Sequence, residues 1–411
     1  MEKTRYRFVI GGLLLCLNFA VGMNFFAVSP LLPLIVEEYG VSRGVASLLI
    51  GLVPLAQAAL SIPGGLLAAK VRLKPLVAVC WFASAGLILT PLASDFGALM
   101  ALRLGFGIGI AVLMPVSGML LMQWFPRREL PLVNGMMMVG GTLGVTLALF
   151  TEAALAEAVG WQGALMLPGA VMLAGAVLWV ALGRTTQVTR QPGRPAVSAR
   201  QMLTTLRARV TLLIALGNAA PTALMVAQMS WLPTYFNETL GMSLSKGGML
   251  TGLMPFSGMV WMFLGGLLPL FFARRRPFLL VPGVTIVFAG LSTFLAGDTL
   301  FIYPALIVLS FSGNFFLPTL ATLPMELPDA TPDRVVMMLA GSMTVGGFFA
   351  FVSPLTVGLL ADATGSYVPG FALWSVAGVG LLVAALLLPE TGRTRDAPGS
   401  GAKAVGPAPG V

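Results

Sequence analysis

The sequence predicts an all-α polytopic membrane protein: twelve transmembrane helices in two pseudo-symmetric six-helix bundles. Three observations predict it. Of 411 residues, 57% are apolar and 9% charged, with a mean hydropathy of +0.93. Soluble domains carry about 25% charged residues, and a surface this poor in charge suits lipid rather than water. Apolar runs long enough to span a bilayer, roughly 20 residues each, tile most of the chain. The two halves of the chain also repeat one another.

The runs predict helices at about 8–36, 45–69, 75–93, 97–124, 132–154 and 161–182. A second set follows at about 210–236, 246–271, 277–296, 299–326, 336–361 and 370–389. Gly and Pro are abundant, at 49 and 29, and fall inside the apolar runs. Bilayer helices tolerate both, because neighbouring helices re-satisfy the freed backbone groups. The N-terminal run is too long for a removed signal peptide and lacks a small-residue cleavage site, so it reads as the first span.

Basic residues set the orientation. With both chain ends in the cytoplasm, all but three of the 24 Lys and Arg fall on the cytoplasmic side or in its loops. Arg43 and Lys246 fall outside, and Arg103 falls within a span. The reverse topology would break the positive-inside rule. The expected organisation is an N-terminal bundle over 1–182, a basic cytoplasmic linker over 183–209, a C-terminal bundle over 210–390 and a disordered tail over 391–411. The linker arginines Arg184, Arg190, Arg194, Arg200, Arg207 and Arg209 determine topology and face the lipid headgroups.

The repeat has one register. Leu32-Pro33 matches Leu232-Pro233, and after one insertion Gly40, Ser42, Gly51-Leu52, Pro54 and Gly64-Gly65-Leu66-Leu67 match Gly241, Ser243, Gly252-Leu253, Pro255 and Gly265-Gly266-Leu267-Leu268. Spans one and two therefore correspond to seven and eight. Six helices separate the copies, so the halves are parallel and relate by an axis along the membrane normal. A central seam follows, and rocking about it would expose a midplane cavity to either side.

Several function classes are excluded. The chain has no His and only Cys16 and Cys80, both in predicted spans, which removes a His/Cys metal cluster and a Ser-His-Asp triad. No Gly-rich segment ends in the Lys-Ser/Thr of a nucleotide loop. The +9 charge is scattered between apolar runs rather than gathered into a nucleic-acid-binding face. No cofactor and no nucleic-acid partner are expected.

Local motifs resemble those of the major facilitator superfamily of secondary transporters. After span two stands Pro63-Gly64-Gly65-Leu66-Leu67-Ala68-Ala69-Lys70-Val71-Arg72-Leu73-Lys74-Pro75, with Ala69 and Arg72 where the family has Asp and Gly. Arg103-Leu104-Gly105-Phe106-Gly107-Ile108-Gly109 resembles the second family motif, and Trp124-Phe125-Pro126-Arg127-Arg128-Glu129 and Pro389-Glu390 are also family-like. Gly140-Gly141-Thr142-Leu143-Gly144 matches the motif of proton-driven exporters only in part, because Val145 replaces the expected Pro. The resemblance implies transport by alternating access, and Arg103 with the sparse carboxylates favours a small polar or anionic organic solute. A proton-coupled multidrug exporter and a non-transporting sensor or scaffold stand as alternatives.

Candidate substrate-binding residues are the polar and aromatic groups at membrane depth: Asn18, Asn24, Gln57, Arg103, Asn218, Gln228, Trp231 and Asn314. Each could equally hold helices together. Asn18 and Asn218 occupy comparable places in spans one and seven. Lys70, Lys74, Arg103 and Glu326 are candidates for gating or coupling. Glu152 and Glu157 fall near the outer end of span five, while Glu37, Glu38, Asp95, Glu238, Asp298 and Asp362 read as outer loop charges. Met136, Met137 and Met138 supply adaptable packing. Expected partners are a small-molecule substrate, membrane lipids and a coupling ion, either a proton or a counter-anion. The expected form is a monomer in the bacterial inner membrane.

Overall fold

The computed structural model describes residues 2–68, 71–126, 129–185, 204–272, 274–297, 299–328 and 330–391. Its regular structure is entirely helical, as hydrocarbon requires of a chain whose backbone groups must pair internally. Spans one to four are Arg5–Tyr39, Arg43–Ser61, Leu73–Leu92 and Phe96–Trp124. Spans five and six share the stretch Leu132–Leu182, which breaks at Gly160, where φ is 77° and ψ is 161°. Spans seven to twelve are Arg209–Glu238, Leu244–Leu270, Pro277–Leu295, Ile302–Glu326, Met337–Thr364 and Val368–Leu387. The eleven apolar stretches thus make twelve passes. Successive passes alternate in direction. One face, here the terminal face, carries the start of span one and the end of span twelve; the opposite face is the distal face.

The sequence repeat is also a structural one. Gly40 and Gly241 both turn the chain through the left-handed region, at φ 61° and 65°, a conformation that costs glycine little. Two residues later Ser42 and Ser243 cap the next helix, their hydroxyls accepting from the amides of Val45 and Lys246. Pro54 and Pro255 sit inside the helices that follow.

Spans one to six pack as one bundle and spans seven to twelve as the other. They meet where span two lies along span eleven and span five along span eight. Under the repeat these are one contact made twice, as a twofold axis along the membrane normal demands. Ser29 marks that axis. Its hydroxyl lies 2.5 Å from the Met229 carbonyl and 2.8 Å from that of Ser230, 200 and 201 residues further along the chain.

The distribution of buried side chains defines the shape. In the distal half one continuous apolar core runs through both bundles, from Leu31, Leu49 and Leu149 to Trp231, Leu250 and Phe371. In the terminal half the core divides. Leu14, Trp81, Phe106 and Trp179 belong to a cluster wholly within the first bundle, and Ile214, Phe316, Leu320 and Leu381 to one wholly within the second. The bundles are fused distally and splayed terminally.

The helix of span six ends at Leu182 and that of span seven begins at Arg209. Most of the 183–209 connector and nearly all of the 391–411 tail lie outside the described residues, as does Lys70.

Distal closure depends on a close backbone approach. A Cβ on Gly248 of span eight would stand 2.5 Å from the Leu149 carbonyl of span five. Gly248→Val is expected to cost the closed form about 1–3 kcal/mol by overpacking. Ser29→Cys, buried beneath the seal, reports on this. Its labelling by an impermeant maleimide from the distal side should rise at least about fivefold in Gly248→Val, a factor equivalent to about 1 kcal/mol.

Candidate functional site

The splayed terminal half encloses a cavity of about 1460 Å³, above the roughly 300–1,000 Å³ usual for a small-molecule pocket. Its walls come from the terminal halves of spans one, five, seven, eight, ten and eleven. The first bundle contributes Leu15, Cys16, Phe19, Met136, Met138 and Leu143. The second contributes Met259, Met262, Phe263, Leu317 and Met343, and also the polar side chains Asn218, Thr322 and Ser342. None of the described lining residues is charged. One wall is therefore apolar and polarisable, while the other offers an amide and two hydroxyls. Asn218 and Ser342 are neighbours, with the amide nitrogen 3.4 Å from the Ser342 carbonyl.

Of the residues singled out at membrane depth, Asn218 lines this cavity. Arg103 is fully buried in the distal half of span four and is not among the lining residues. Its Nε donates to the Leu49 carbonyl at 2.6 Å, and its two terminal nitrogens donate to the carbonyls of Asn24 and Phe25 at 2.7 and 3.0 Å. Its guanidinium carbon lies 5.3 Å from the Phe106 ring centre. One cation thus ties span four to spans one and two. Asn24 donates to the Ala20 and Pro168 carbonyls, reaching from span one to span six. Gln228 donates to the Gly290 carbonyl and accepts from Thr293, joining spans seven and nine. Trp231 donates to the Pro354 carbonyl of span eleven at 2.9 Å. Asn18 and Asn314 donate to carbonyls one turn back on their own helices, and half-buried Gln57 stands outside the cavity lining.

The charges at the distal face prove more connected than loop charges need be. Arg43, at the start of span two, crosses the seam. It pairs with Glu238 of span seven at 2.7 Å, donates through Nε to the Tyr367 hydroxyl at 2.7 Å, and lies 3.9 Å from Asp362 of span eleven. Asp362 also accepts from the backbone amides of Arg43 and Gly44, at 3.0 and 2.8 Å. A carboxylate from one bundle therefore caps a helix of the other, where the exposed amides and the helix dipole favour a negative charge. Tyr367 completes the cluster by donating to Glu238 at 2.9 Å. Burial, reinforced by the adjacent Glu238 carboxylate, raises the Tyr367 phenol above its ordinary range and keeps it a donor.

Ion pairs among the described residues at the terminal face stay within a bundle. Arg7 meets Glu129 at 3.1 Å in the first. In the second, Arg275 meets Glu326 at 3.2 Å, and Thr391 donates to the same carboxylate at 2.7 Å. Glu390 accepts from the amides of Arg275 and Arg276, just ahead of span nine. Glu326 is thus a brace at the terminal ends of spans eight, ten and twelve. Lys74 offers its backbone carbonyl to the Trp179 indole at 3.1 Å.

Sequence reasoning missed Arg43, Glu238, Tyr367 and Asp362 as one unit. A signal was present: Arg43 is one of two basic residues on a face otherwise populated by carboxylates, which makes it the natural partner for them.

Comparison with known proteins agrees with this architecture. The chain is 27% identical to the probable sulfoacetate transporter SauU of Cupriavidus necator, over 94% of this chain and 95% of that one. It is 22% identical to the D-galactonate transporter of Escherichia coli, over 87% and 90% of the two chains. A solved bacterial homologue of the human lysosomal transporter Spinster, inward-facing and unoccupied, superposes with a TM-score of 0.75 at 16% identity, covering 92% of this chain and 95% of that one. The chain is a secondary transporter rather than an enzyme, and a multi-pass membrane protein. The family model for the Major Facilitator Superfamily matches residues 14–350, and the chain belongs to that superfamily.

Proposed function

We propose that the chain carries a small polar or anionic organic solute across the inner membrane by alternating access, and that the structure is its cytoplasm-open state. One observation carries this reading: a single fused core on the distal side, against two separate cores flanking an open cavity on the terminal side. Such a molecule can exchange solute with one compartment only. It reaches the other by rocking the bundles about the seam.

Assigning the terminal face to the cytoplasm rests on the basic residues gathered there. Both chain ends then lie in the cytoplasm. Residues 1–182 and 210–390 act as the two rocking bodies, joined by 183–209 and followed by the 391–411 tail. The two cavity walls come from one chain, which supports a working monomer. The coupling ion is a proton or a counter-anion. The solute enters the cavity beside Asn218, while Lys74, Arg103 and Glu326 serve gating or coupling from outside it; Lys70 is assigned to gating or coupling with them. Relatives named for sulfoacetate and D-galactonate, both organic anions, support an anionic solute. The lining favours one with an apolar body as well as a polar head, since the methionines adapt to varied apolar shapes. That apolar wall is also the observation behind the second reading, a proton-coupled multidrug exporter.

Purified protein in proteoliposomes separates the two readings. Saturable counterflow of a labelled organic acid is expected. If no organic acid exchanges and lipophilic cations instead dissipate an imposed proton gradient, the exporter reading takes its place.

Arg103→Gln exchanges a cation with three carbonyl partners for a neutral amide. Charged hydrogen bonds contribute about 1.5–3 kcal/mol each. A loss of about 3 kcal/mol or more in stability is therefore expected, read as a lower thermal midpoint, together with loss of saturable uptake. Unchanged uptake kinetics would remove any essential role for this residue.

Asp362→Asn keeps the cap on the Arg43 helix but removes its charge. The distal closure should weaken by about 1 kcal/mol. Distal labelling of Ser29→Cys would then rise about fivefold.

A further inference from the structure

The two sides of the seam differ, although the repeat alone would make them alike. On one side span two lies along span eleven, and on the other span eight lies along span five. Gly51 faces the Phe351 ring on the first side, and Gly252 faces the Phe150 ring on the second. The two glycines and the two phenylalanines are repeat partners at one spacing, so both contacts begin in the same way. About one turn nearer the terminal face they part. On the first side a Cβ on Gly347 would stand 3.2 Å from the Pro54 carbonyl oxygen and 3.0 Å from the Ala58 methyl. On the second side the repeat puts Thr146 in the place of Gly347 and Met259 in the place of Ala58. Small residues let helix backbones approach closely, and larger ones hold them apart. Met259 accordingly lines the cavity, whereas no described residue of span two does.

Beyond this point the terminal halves of spans five and eight are cavity walls. Leu132, Met136 and Val139 on one, and Phe263, Leu267 and Leu270 on the other, line the cavity and are exposed. Each trio advances by four residues and then three, so each is a single stripe along its helix. Both stripes lie within the spans, at a depth where the adjoining phase is hydrocarbon. Exposed apolar surface of this kind is better covered by a hydrocarbon chain than by water. The amide and hydroxyl side chains of the lining, Asn218, Thr322 and Ser342, all stand on the second bundle.

We propose that the space between the terminal halves of spans five and eight is a portal into the bilayer, and that its occupant is a single-chain carboxylic acid drawn from the leaflet on the terminal side. The chain lies along the two apolar stripes, and the carboxyl group reaches the amide and hydroxyls of the second bundle. A lining without charge among its described residues takes the acid in its neutral form, because an unpaired carboxylate is costly away from water. A chain taken from lipid gains little from the hydrophobic effect, since the leaflet is already apolar. The fit between the stripes and the hydrogen bonds at the head therefore decide what is held. This assignment narrows the organic-acid reading to a substrate class and rests on that reading for its purpose.

Photo-crosslinking of the wild-type chain in nanodiscs tests it. The probe is palmitic acid carrying a diazirine near the end of its chain, and adducts are mapped by peptide mass spectrometry. Val79, exposed on span three in the same leaflet and outside the cavity lining, gives the level due to bulk lipid. Adducts are expected to concentrate on the stripes of spans five and eight. Excess unlabelled palmitic acid should lower them at least about fivefold by competition, while the same concentration of acetic acid leaves them in place. Asn218→Leu removes one hydrogen bond at the head, so half-displacement should need about threefold to tenfold more palmitic acid. Stripe adducts no denser than those at Val79, or adducts that palmitic acid does not displace, overturn the proposal. Equal displacement by acetic acid overturns it too, because the chain would then contribute nothing. Unchanged displacement in Asn218→Leu overturns the placement of the head. Labelling requires no transport. Saturable labelling without counterflow of any organic acid would remove the functional reading alone, and counterflow of short acids without saturable labelling would remove this one alone.

Discussion

The structure depends on how closely two helix backbones can approach across the distal half of the seam. There carbonyls meet glycines across the seam, beside side chains such as Phe150 and Arg43, and Ser29 reaches two carbonyls of the facing helix directly. Lipid gives no hydrophobic reason for one apolar helix to prefer another, so small residues and hydrogen bonds must hold helices together. A contact of this kind is tight when the surfaces match and negligible once they part. Such a contact suits a joint that must hold and release repeatedly.

The distal cluster adds direction to that joint. Arg43 and its three partners come from spans two, seven and eleven and from the turn before span twelve, and they lie partly in water. Exposed pairs contribute little individually. Here one carboxylate also occupies a helix terminus of the opposite bundle, where unpaired amides await an acceptor. When the seam opens, those amides and carboxylates meet water instead. The difference between the two states stays small, as a cycling protein requires.

The fold was legible in the sequence because lipid imposes length and composition on every pass, and because Gly and Pro recur in one register in both halves. Gly40 with Gly241, and Ser42 with Ser243, were paired as letters and proved to be the same turn and the same cap. The site was much less legible. Asn24, Gln228 and Asn218 are all polar residues within apolar helices, yet two fasten helices together and one faces the cavity. The rotation of each helix against its neighbours decides between these roles, and a nearly uniform apolar sequence carries no periodicity that reveals rotation. Arg43, Glu238 and Asp362 escaped for a different reason: each lies at the end of a span, more than 100 residues from the others. No local pattern joins them.

At the terminal face the Tyr6 hydroxyl donates to the Leu182 carbonyl, so the entry to the first bundle touches its exit. Six helices whose two ends meet form a self-contained ring, and such a ring can be copied head to tail without rerouting the chain through the membrane. An ancestral six-helix module could in this way have doubled into a single polypeptide, gaining only a tether between its copies.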